Sequence, residues 1–142
     1  MTTTSERQST SQRKRPVWLW GLFVCDAGLM VASGLIHLHL WAMPGGYRHV
    51  KTLDQLFLVQ VVLAWLAAIT LLVTRHLLVV AGSLLLMAGT IAGFILVRTV
   101  GLFGFKLPYS TGLANTVLVI EVVAVVLLAV TGWLLARVYR AS

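Results

Sequence analysis

Four stretches of this sequence, at residues 17–41, 56–73, 77–97 and 116–135, are each long and apolar enough to cross a bilayer as a helix. A hydrocarbon core of ~30 Å takes about 20 apolar residues at the helical rise. Lipid offers the backbone no hydrogen bonds, so each run must satisfy its own peptide groups. The fold class that follows is all-α, a membrane-embedded four-helix bundle over residues 16–140. The bulk composition agrees. Of 142 residues, 59% are hydrophobic and 11% charged, with a mean hydropathy of +0.95. A soluble domain carries about 25% charged residues, so most of this chain has lipid as its solvent.

Residues 1–15 are polar and nearly free of apolar side chains, which predicts a disordered basic tail. Arg13, Lys14 and Arg15 bring it to the membrane, and Pro16 suits the first turn of a helix. A basic tail before an apolar run resembles a signal peptide. This run is too long for one and no small-residue cleavage site follows, so it reads as a retained anchor. The net charge of +7 lies just outside the apolar runs, where it meets headgroups; nucleic acid is not an expected partner. The single cysteine, Cys25, excludes an intrachain disulfide and reads as a small packing residue.

The connections fix neighbours and orientation. Pro44, Gly45 and Gly46 end the first segment, and a polar loop containing Arg48, His49 and Lys51 follows. Thr74, Arg75 and His76 link the second and third segments so tightly that these must be antiparallel neighbours. Residues 101–109 form an aromatic, Gly-rich interfacial loop. Arg7, Arg13, Lys14, Arg15, Arg75, Arg137 and Arg140 lie on one side, against Arg48, Lys51, Arg98 and Lys106 on the other. The excess predicts cytoplasmic termini in a multi-pass membrane protein, with both long loops outside.

Two small-residue stripes suggest how the helices pack: Gly82, Gly89 and Gly93 in the third segment, and Gly21, Cys25, Gly28 and Ala32 in the first. Such stripes let backbones approach closely and are expected to seat helix on helix. A weak internal repeat is also visible. His37 and Gln60 lie 23 residues apart, as do Arg98 and Glu121, and the two pairs are offset by 61. This spacing suggests two repeated helical hairpins.

Polar residues inside a membrane are costly and turn toward the bundle interior or a wet cavity. Asp26, Met30, Ser33 and His37 are spaced four, three and four apart and share one helical stripe. Asp26, Ser33 and His37 could form a proton or ligand path; alternatively, and more simply, Asp26 could bond to a neighbouring helix. Arg98 ends the third segment on the side where Glu121 enters the fourth, so the two are expected to pair, with Gln60 at a similar depth. His37 and His39 point apart on a regular helix and cannot share a metal ion, and no second ligand motif completes a site. No phosphate loop, nucleophile elbow or zinc-protease motif is present, so no catalytic residue is assigned and the cofactor stays unknown. Trp41, Tyr47, Phe103, Phe105 and Tyr109 read as interface anchors, at which quinone or lipid chemistry could occur.

The strings at residues 36–41, 46–49, 56–60 and 101–106, and Val119-Ile120-Glu121, resemble a group of small four-helix actinobacterial membrane proteins of unknown function. The resemblance covers residues 33–135. Relatives of this kind often carry an acid after the Gly-Phe-Lys segment, where this chain has Leu107. The resemblance implies a plasma-membrane location and the same fold. By position alone it gathers His37, His39, Arg48, Gln60, Lys106 and Glu121 into one external polar site.

Three functions are therefore expected to compete. The first is a non-enzymatic protein that binds a small ligand, a lipid or a partner subunit at a cleft formed by His37, His39, Arg48, Gln60, Arg98 and Glu121. The second is a membrane oxidoreductase or proton-coupled carrier that uses Asp26 and His37. The third is an assembly factor that docks partner helices through the glycine stripes. So small a bundle could also form a homodimer.

Overall fold

A computed structural model describes residues 17–49, 52–102, 104–106 and 112–140. The tail at 1–15, Pro16, Lys51, Phe103, Leu107 and Tyr109 lie outside the described residues. Four helices are present: α1 Val17–Ala42, α2 Leu53–Thr74, α3 Leu77–Thr99 and α4 Gly112–Arg140, with a 3-10 turn at Tyr47–His49. Each is long and apolar enough to span a membrane. Helix α2 begins three residues earlier than the sequence predicts. Helix α4 extends further at both ends, because its polar and basic flanks continue the helix into the interface.

The helices form a ring in which α1 touches α2 and α4, and α3 touches the same two. The two long connections lie at one end, here the loop end. The link between α2 and α3 lies at the other, the terminal end. That link is two residues long. Arg75 takes a left-handed conformation and its N–H closes onto the Leu71 carbonyl, while the His76 side chain accepts from the Leu78 N–H to start α3. At the loop end Gly46 packs beneath the end of α1, where a Cβ would strike the carbonyls of Leu40 and Met43.

Burial follows a heptad seam. In α4 the buried residues are Ala114, Val117, Glu121, Ala124, Leu128, Thr131 and Leu135, alternately three and four apart. In α1 the seam runs Leu19, Phe23, Asp26, Met30 and Ser33, through half-buried His37, to Leu40. Ala64, Ala68 and Leu71 of α2 and Val80 and Met87 of α3 complete the core. The 61-residue offset is met in burial at four pairs of positions only. Leu19 and Val80, Asp26 and Met87, Leu53 and Ala114, and Gln60 and Glu121 are buried at matching positions. The match fails at most other buried positions of α1 and α2, Phe23 and Leu84, Ala27 and Ala88, and Ala68 and Ala129 among them, and at His37 and Arg98, where Arg98 is exposed.

The glycine stripes do not seat helices within the molecule. A Cβ at Gly21, Gly28, Gly82, Gly89 or Gly93 would meet nothing within 4 Å. Cys25 is likewise exposed on the outer face of α1 rather than packed. The close approaches occur elsewhere. A Cβ at Gly34 would lie 2.5 Å from Nε1 of Trp65, and one at Gly132 would lie 3.3 Å from Val80. Alanines on the seam of α2 and α4 supply the remaining closeness.

Candidate functional site

The polar residues of the interior form two separate groups. Near mid-bundle, Thr131 Oγ1 donates to Asp26 Oδ2 at 2.7 Å, which ties α4 to α1. Asp26 is fully buried and its second oxygen, Oδ1, has no partner among the described residues. This is the helix-to-helix bond that the sequence offers as the alternative to a path.

The second group lies nearer the loop end. Ser33 Oγ donates to Glu121 Oε1 at 3.0 Å, again between α1 and α4. His37 Nδ1 lies 2.9 Å from the Ser33 carbonyl, and its Nε2 lies 3.8 Å from the same Glu121 oxygen. A carbonyl only accepts, so the proton of neutral His37 sits on Nδ1 and Nε2 faces the carboxyl. One further proton, on Nε2 or on the carboxyl, makes that pair attractive. Thr90 of α3 also faces Glu121, while its hydroxyl donates back to the Met87 carbonyl at 2.7 Å.

Asp26 and Ser33 are seven residues apart, about 10 Å along the helix axis. Met30, with no exposed surface, fills the stripe between them. Among the described residues no side-chain hydrogen bond joins the two groups, which share one face of α1.

Arg98 does not pair with Glu121. Its guanidinium lies over the Phe94 ring at 5.5 Å, on the exposed side of α3. A long cation near a helix end reaches for the interface rather than for an acid one and a half turns inside. His39 is exposed on the opposite face of α1 from His37, as the helical geometry requires. Arg48 is exposed and its Nε donates to His49 Nε2 at 3.0 Å, and Lys106 is exposed as well. Of the residues expected to share one site, the structure gathers His37, Gln60 and Glu121 and leaves His39, Arg48, Arg98 and Lys106 outside.

Against this group lies a cavity of about 500 Å³, within the range of small-molecule sites. His37, Tyr47, Phe57 and Gln60 line it at the loop end, and Leu86, Gly89, Thr90 and Gly93 line it from α3. Tyr47 stacks on Phe57 at 4.9 Å and meets the edge of Phe105 at 6.1 Å, so one loop roofs the cavity against the other. Burial beneath this roof raises the Tyr47 hydroxyl above its ordinary pKa, keeping it a neutral donor. Gln60 is 7% exposed and its amide Nε2 has no partner among the described residues. Val59 and Leu85 line the cavity and are themselves exposed, so it opens sideways between α2 and α3. No Lys, Arg, Asp or Glu is among the described residues that line it.

Sequence reasoning missed Thr131, Thr90 and the Tyr47–Phe105 roof. Hydroxyls in apolar helices were the available signal, since the deep ones mark the inner face. Compared with family models, curated proteins and solved structures, the chain matches none.

Proposed function

We propose that this multi-pass membrane protein binds a small neutral amphiphile from the bilayer in the cleft between α2 and α3, and does so without chemistry on it. The reading rests on Gln60. A buried amide without a partner costs about 1–3 kcal/mol. This amide lines a cavity that opens toward hydrocarbon, where a hydrogen-bond acceptor would satisfy it. Apolar walls with a few convergent polar groups are the general form of a ligand site. Charge is disfavoured in the ligand because no Lys, Arg, Asp or Glu is among the described residues that line the cavity.

The excess of Lys and Arg on the terminal side supports cytoplasmic termini, and with them a cleft in the outer half of the bilayer. The resemblance to small actinobacterial four-helix proteins belongs to the same reading. Native mass spectrometry of protein purified in a mild detergent tests it. A reproducible adduct on the wild type, lost in Gln60→Leu while the protein stays folded, is the expected result. A wild type without adduct, or a Gln60→Leu protein that keeps it, rejects the assignment.

A further inference from the structure

The cavity does not end at Gln60. Leu86 lines it and also lines a second recess of about 350 Å³, held between Leu66 and Thr70 of α2 and Gly82 and Ser83 of α3. The two recesses follow one seam, the loosest of the four in the ring. The glycines keep it open. At Gly82 and Gly89 a Cβ would meet nothing, so the stripe that seats no helix instead forms the wall of a groove. Two hydroxyls border the lower recess. Thr70 turns its own back onto the Leu66 carbonyl, and Ser83 Oγ is buried without a partner among the described residues. The rest of that lining is apolar.

We infer that the occupant is a single-tailed neutral lipid, its carbonyl at Gln60 under the Tyr47–Phe57 roof and its tail laid along the α2/α3 groove past Gly89 to Gly82. This inference rests on the reading of Gln60 given above and adds the class and length of the ligand. Three observations carry it. The unpartnered amide calls for an acceptor in the headgroup. The absence of Lys, Arg, Asp and Glu among the described residues that line either recess calls for a head without charge. The second recess continues the first along one seam, which calls for one extended chain. From Gln60 to Thr70 the groove follows ten residues of α2, about 15 Å. An extended chain advances about 1.2 Å per bond, so the slot takes roughly twelve carbons.

A series of saturated 1-monoacylglycerols tests this on the full-length protein by native mass spectrometry. Occupancy is expected to rise about tenfold, or about 1.4 kcal/mol, as the tail lengthens toward roughly twelve carbons, and then to level off. Gly82→Leu places a side chain in open space. It should move the levelling point to shorter tails and leave the shortest lipids bound as in the wild type. A monoacyl phosphate of the same tail should bind at least about tenfold more weakly. If occupancy ignores tail length, or if Gly82→Leu leaves the profile unchanged, the tail slot is wrong even where Gln60→Leu still abolishes binding. Equal binding of the phosphate overturns the neutral head. A protein that takes up none of the series and runs as a homodimer has its groove covered by a second copy, and then this inference and the reading beneath it both fall.

Discussion

Glu121 accepts from Ser33 across the α1/α4 seam and faces His37 on the same helix as Ser33. Glu121→Gln keeps an acceptor in place and should change stability little. Glu121→Met strands a buried hydroxyl and should cost about 1–3 kcal/mol. Adding Ser33→Ala to Glu121→Met should recover part of this, since hydrogen bonds between membrane helices couple by about 0.6 kcal/mol on average. Reversible unfolding in mixed micelles measures all three terms; strictly additive losses would mean that the bond is absent. The depth of Glu121, Asp26, His37 and Gln60 was legible in the sequence, because depth is counted along the chain. The partner of Glu121 was not. Which way Arg98 turns depends on its position around α3, and that is set by how far α3 rotates in the ring.

At the level of the element, lipid hides the pattern that a soluble helix displays. Inner and outer faces of α1 and α4 are equally apolar, so the heptad seam cannot be read from hydrophobicity. It can be read from the polar residues. Asp26, Ser33 and His37 already trace the inner face of α1, and Glu121 and Thr131 that of α4. Glycine misleads in the same setting. A small residue permits contact without requiring it, and the sequence does not show that Gly34 is pressed while Gly89 is open. The two should therefore respond oppositely to the same change. Gly34→Ala must displace Trp65 and should lower stability by about 1–3 kcal/mol, with partial rescue by Trp65→Phe. Gly89→Ala meets no neighbour and should be neutral or stabilising by up to about 1 kcal/mol through helix propensity. Thermal unfolding of the purified variants compares them directly. Equal losses at both sites would show that a neighbouring helix occupies the groove at Gly89.

At the scale of the whole molecule, the four seams are unequal, and the inequality locates the site. Helices α1 and α4 are bonded at two depths, by Asp26–Thr131 and Ser33–Glu121. Helices α1 and α2 close on the Gly34–Trp65 contact. Helices α2 and α3 are joined by a two-residue link at the terminal end and leave the cavity and the second recess between them. Among the described residues the α2/α3 seam, with its two recesses, is where an elongated molecule can enter without breaking a polar contact. Its side of the membrane then decides which lipids it meets. Folding reporters fused after residue 75 and at the C-terminus should report the cytoplasm, and one inserted at residue 46 should report the outside. Arg75 and Arg137 stack on Trp20 and Trp133 at the terminal end and hold that end at an interface rich in positive charge. Replacing Arg75 and Arg137 with Gln should therefore raise the fraction of inverted molecules measured by the same reporters. A cytoplasmic signal at residue 46 in the wild type would put the cleft in the inner half of the bilayer. The monoacylglycerol series would then need to be presented from that leaflet.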